Sequence, residues 1–74
     1  MMQRAVAFVH IGSRVYVIGT EQRFDYVEAR ERWTYIVSES FLNGSGSFHP
    51  PRDLFDSENE ALIAAFTFIA QLTA

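Results

Sequence analysis

Residues 5–20 read AVAFVHIGSRVYVIGT, two apolar runs separated only by Gly12 and Ser13. Both runs are rich in Val, Ile, Phe and Tyr, the residues that fit a pleated surface. Glycine at the first central position of a two-residue loop suits a type II′ turn, whose twist matches that of the flanking strands. The stretch therefore predicts a β-hairpin of residues 5–11 and 14–20. Its register sets Ala7 opposite Ile18, Phe8 opposite Val17, Val9 opposite Tyr16 and His10 opposite Val15. Both faces of this hairpin are apolar, so it belongs inside a larger sheet.

Residues 22–33 continue the chain as QRFDYVEARERW. The segment has good helix propensity and a Glu28/Arg32 pair at i,i+4. A strand reading gives more specific contacts. A turn near Arg30 and Glu31 sets Phe24 opposite Val37, Tyr26 opposite Tyr35, and Glu28 opposite Trp33, with Val27 opposite Thr34 on the other face. Aromatic cross-strand pairs stabilise sheets, and the strand reading is preferred, with residues 32–40 as a fourth strand. The expectation is a meander of about four antiparallel strands with two unlike faces. Tyr16, Phe24, Tyr26, Trp33 and Tyr35 share one face with Val9, Ile18 and Val37. Val6, Phe8, Val15, Val17, Val27 and Ile36 occupy the other, with His10, Asp25 and Thr34.

Residues 43–53 read as a loop, flexible at Gly44, Ser45, Gly46 and Ser47 and stiff at Pro50 and Pro51. Ser57, Glu58, Asn59 and Glu60 then form a capping box, and Asp56, Glu58 and Glu60 set negative charge at the positive end of a helix dipole. A helix over residues 58–72 follows. The fold class is α+β: one domain, residues 1–74, with the C-terminal helix packed on a sheet face.

From Ala61 onward the chain carries no charge. Leu62, Ala65, Phe66, Ile69 and Leu72 make one stripe toward the sheet. Ile63, Ala64 and Phe68 then fall outside it, with Phe66 and Phe68 about 200° apart around the axis. A second apolar face calls for a cover. Self-association through Ile63 and Phe68 is the reading preferred here; the alternative is cover by the 43–56 loop through Phe48 and Phe55.

Composition narrows the function. Apolar residues make up 49% of the chain and charged residues 20%; seven Phe, three Tyr and one Trp supply the aromatics. No cysteine is present, which removes disulfides and thiolate metal sites. All six basic residues are arginine, a pattern that fits a bacterial or phage gene, and nine carboxylates outweigh them to a net charge of −3. That balance argues against gripping nucleic acid or anionic lipid by bulk charge. No apolar run is long enough for a membrane span, and the short run after Arg4 reads as a strand rather than a leader. A cytoplasmic protein is expected.

His10 sits mid-strand, and two histidines give no metal spacing. The carboxylates lie at turns and at the helix start, with no pair spaced for acid–base work. Neither Ser38, Ser40, Ser45 nor Ser47 lies in a nucleophile context, and the 44–46 segment lacks the lysine of a phosphate loop. The expectation is a non-catalytic protein-interaction module, without cofactor or metal, acting as a homodimer or higher oligomer. Its partner is another copy, a different protein or a small apolar ligand. One alternative is a nucleic-acid-associated regulator stacking bases on Tyr16, Tyr26, Trp33 and Tyr35, with Arg14, Arg23, Arg30 and Arg32 for phosphates. Another is a small-ligand or catalytic site at the 43–53 loop, built on His49 and Arg52.

Overall fold

Gly12 has φ +61°, and Ser13 has no positive φ, as a type II′ turn requires. The turn joins β1 (Gln3–Ile11) to β2 (Arg14–Asp25) in the expected register, with Ala7 opposite Ile18 and His10 opposite Val15. One residue, Val6, is inserted between Ala5 and Ala7 and bulges the strand. The computed structural model describes residues 3–41, 46–49 and 53–73.

β2 does not stop at Thr20. It runs unbroken for 12 residues and pairs antiparallel with β3 (Arg30–Phe41), also 12 residues. Residues 5–40 thus form three strands, not the expected four. The turn lies at Tyr26, Val27, Glu28 and Ala29 rather than at Arg30 and Glu31. Phe24 faces Glu31, and Trp33 faces Gln22. The displacement is an even number of residues, so side chains keep their faces. Tyr16, Ile18, Phe24, Trp33, Tyr35 and Val37 still share one face, whereas Tyr26 and Val27 leave the sheet for the turn.

A four-residue segment, β4 (Gly46–His49), adds to the far edge of β3 within the stretch expected to be loop. Gly46 is required there: a Cβ would collide with the Glu39 carbonyl oxygen. Phe55 continues this edge, exchanging backbone hydrogen bonds with Trp33 at 2.6 and 2.8 Å.

The helix α1 spans Glu58–Leu72, and the Ser57 side chain accepts from the Glu60 amide at 3.1 Å. It lies over β2 and β3 on the aromatic face. Tyr16, Ile18 and Val37 of the sheet and Ala65 and Ile69 of the helix form the buried centre, flanked by Val6, Ala7, Val9, Tyr35, Leu62 and Phe68. Ala61 and Ala65 face the strands because a methyl group lets the two layers approach. This turns the helix away from the expected stripe. Phe68 packs inward, 6.1 Å from the Tyr35 ring, which also has Phe55 at 6.3 Å. Phe66 and Ile63 point out.

Length explains what remains bare. Twelve strand residues at about 3.4 Å span about 40 Å, whereas 15 helical residues at 1.5 Å span only about 22 Å. The molecule's long axis is 42 Å. One helix therefore covers about half of the β2–β3 ribbon, and the hairpin tip extends past its N-terminus.

Candidate functional site

The tip is held by its own polar groups. Asp25 Oδ1 accepts the amides of Val27 at 2.9 Å and Glu28 at 3.2 Å, which closes the turn. Its Oδ2 accepts from Arg32 Nη1 at 2.9 Å. Arg32 Nη2 donates to the Leu54 carbonyl at 3.0 Å, and its Nε lies 3.3 Å from Asp56. Arg30 donates to Asp56 at 2.6 Å. Thr34 donates to the Asp53 carbonyl at 2.7 Å, and Thr20 to Glu58 at 2.6 Å. Together these bonds fasten the base of the hairpin to the start of α1. The Arg32 guanidinium, with the turn amides, holds the Asp25 carboxyl below its ordinary range, and the Arg30 guanidinium does the same for Asp56. Both are ionised at neutral pH and occupied by arginine.

A second polar group sits at the other end of the aromatic face. Arg14 Nη1 lies 3.4 Å from the hydroxyl of buried Tyr16 and 3.6 Å from Glu39. Arg14 also lines a cleft of about 430 Å³ with Ile11, Gly12, Ser13, Leu72 and Thr73. No basic residue occupies the last turn of α1, so Arg14 brings positive charge from the neighbouring strand toward the helix C-terminus.

The four arginines proposed for phosphates each lie within ion-pair distance of a carboxylate: Arg14 with Glu39, Arg23 with Glu21, Arg30 with Glu28 and Asp56, and Arg32 with Asp25 and Asp56. The four aromatics named for stacking do not form one open surface. Tyr16 is fully buried, Trp33 and Tyr35 are half-buried, and Tyr26 stands alone in the turn with Phe24 edge-on at 4.9 Å. His49 ends β4, its backbone opposite Val37. Its side chain, and the whole of Arg52, lie outside the described residues. No group of three His, Cys, Asp or Glu able to hold a metal occurs among the described residues. No described helix is long and apolar enough to cross a membrane.

Among the described residues, the largest exposed apolar side chains fall on three surfaces, with Ile11 and Leu72 less exposed at the cleft beside Arg14. The outer face of α1 presents Ile63 at 59% exposure and Phe66 at 44%. The sheet face opposite the helix presents Phe8 at 66%, beside exposed His10 and half-buried Val15 and Val17. The hairpin tip presents Tyr26 at 87% and Val27 at 92%. Sequence reasoning found Ile63 from its helical position but exchanged the roles of Phe66 and Phe68. It missed the tip because the turn was set too late, and Asp25, a residue that favours turn starts, was the available signal. Compared with family models, curated proteins and solved structures, the chain matches none.

Proposed function

We propose that this chain is a non-catalytic, cytoplasmic protein-interaction module that works as a homodimer or higher oligomer. The observation that supports the reading is apolar surface on both layers that one copy does not cover: Phe8 on the sheet, Ile63 and Phe66 on the helix. A domain of this size folds with a margin of only about 3–5 kcal/mol, so leaving such groups in water is expensive relative to its stability. The ionic groups at the hairpin base serve this reading as fasteners of the scaffold.

The helix face alone is a thin interface. Covering what remains exposed of Ile63 and Phe66 is worth roughly 1–1.5 kcal/mol each, or about 4–6 kcal/mol for two copies. Association costs about 4–15 kcal/mol in lost freedom. A stable pair therefore needs contacts beyond these two residues. The test is native mass spectrometry of the untagged protein across a concentration series. A mass of two or more chains in the micromolar range is expected; a one-chain mass at every concentration overturns the reading.

A further inference from the structure

The sheet order β1-β2-β3-β4 leaves two edges of different character. The β3 side is closed by β4 and by the Phe55 bridge. On the other side β1 is nine residues long, and among the described residues no strand pairs with its outer edge. Exposed edges are usually blunted by lysine, proline, inward charge or a bulge. β1 contains no lysine and no proline, and its bulge at Val6 leaves residues 7–11 regular.

The turn determines which backbone groups this edge offers. In a two-residue hairpin the closing pair, here Ile11 and Arg14, exchanges both hydrogen bonds, and bonded and non-bonded pairs alternate from there. Val9 and Ala7 thus bond to β2. Phe8 and His10, opposite Val17 and Val15, direct their N–H and C=O groups outward.

These two residues are complementary to themselves. An antiparallel copy that sets Phe8 opposite His10 of the second chain, and Val9 opposite Val9, pairs all four outward N–H groups. It stays clear of both the Val6 bulge and the Gly12 turn. Charge favours the same edge: β1 has no carboxylate, and all nine in the chain lie from Glu21 onward. We infer that two copies join through their β1 edges in this register into one continuous sheet. Both helices then lie on one side, and Phe8 of each copy adjoins His10 of the other on the open side. The inference rests on the self-association proposed above and names the surface that forms the pair.

The test is amide hydrogen exchange by NMR, read beside the native mass, with the unmodified chain and with His10→Pro. Proline is tolerated on an edge strand where its missing N–H faced outward. The expected result is a two-chain mass in which the Phe8 and His10 amides exchange at least 100-fold more slowly than in diluted single chains. His10→Pro then gives a one-chain mass with its thermal transition retained. A two-chain mass with fast-exchanging Phe8 and His10 amides overturns the edge pairing and leaves self-association standing. A one-chain mass at every concentration overturns both and leaves the edge to a strand from a different protein. Exchange in the unmodified chain decides the matter even if the proline variant does not fold.

Discussion

Phe66 and Phe68 point to opposite sides of α1, and replacing each by alanine separates a core contact from a surface one. Phe68 is half-buried against the central cluster, with its ring 6.1 Å from that of Tyr35. Losing it forfeits roughly 1.5–2 kcal/mol of apolar burial and about 0.5–1 kcal/mol of ring contact. The sum, about 2–3 kcal/mol, is a large share of the ~3–5 kcal/mol a domain of this size commands. Phe66 is 44% exposed on the outer face, and its loss should cost about 1–1.5 kcal/mol. Urea unfolding monitored by Trp33 fluorescence reads the difference. With a slope near 1 kcal/mol per molar, Phe68→Ala lowers the midpoint by about 2–3 M and Phe66→Ala by about 1–1.5 M. The measurement belongs at the lowest protein concentration that gives a signal, because association adds stability by mass action. A larger loss for Phe66→Ala than for Phe68→Ala would refute the orientation of the helix and the inward role of its alanines.

Ala29 has φ +56° at the end of the β2–β3 turn, a conformation that costs an L-residue about 1 kcal/mol; Ala29→Gly should raise the thermal midpoint by a few degrees, and a fall would show that the turn carries no such strain. Ser57→Ala removes the acceptor for the Glu60 amide and should cost about 1 kcal/mol in denaturant unfolding, with an unchanged midpoint counting against the cap. Asp25 and Asp56 have their acidities strengthened by Arg32 and Arg30. Their contribution is complete above the ordinary Asp value near 4 and is lost as pH falls through the lower folded values. Acid titration by circular dichroism should therefore show stability draining away below about pH 4, and Arg32→Met should flatten that loss; an unchanged acid profile in the variant would deny the pairing.

The parts of this fold that were legible share one property: their signals are local. Gly12 and Ser13 determine the first hairpin because only certain residues enter a II′ turn, and four register pairs follow from that single loop. Ser57 and Glu60 mark the helix start because a cap satisfies amides that the helix leaves free. The second hairpin lacks such punctuation. Its loop contains no glycine, proline or asparagine; Asp25 closes it through side-chain bonds, and Ala29 takes the left-handed conformation instead of glycine. The rotation of α1 was hidden for another reason. Large apolar residues occur all around the helix, so a count of Leu, Ile and Phe favours no side. The contact line is drawn by Ala61 and Ala65, whose small size becomes a preference only when a sheet lies against them. Of the candidate surfaces, Ile63 was readable from its helical position. A meander order already leaves its first strand with a single neighbour, yet the β1 edge was not among the candidate surfaces, because those were chosen from side chains rather than from backbone groups.

The order of the chain has a consequence during synthesis. Tyr16, Ile18 and Val37 meet their cover only when α1 docks, and α1 is made after all the strands. At about 5–20 residues per second, some 2–6 s separate the emergence of Phe41 from that of Leu72. Through that interval the ribbon can zip, since its pairings are close in sequence, while its aromatic side stays wet and the β1 edge stays open. Two nascent chains on one message would present the same edge and the same uncovered face to each other. The helix, last to arrive, ends that interval for the face. It does nothing for the edge, which no described strand of the same chain covers.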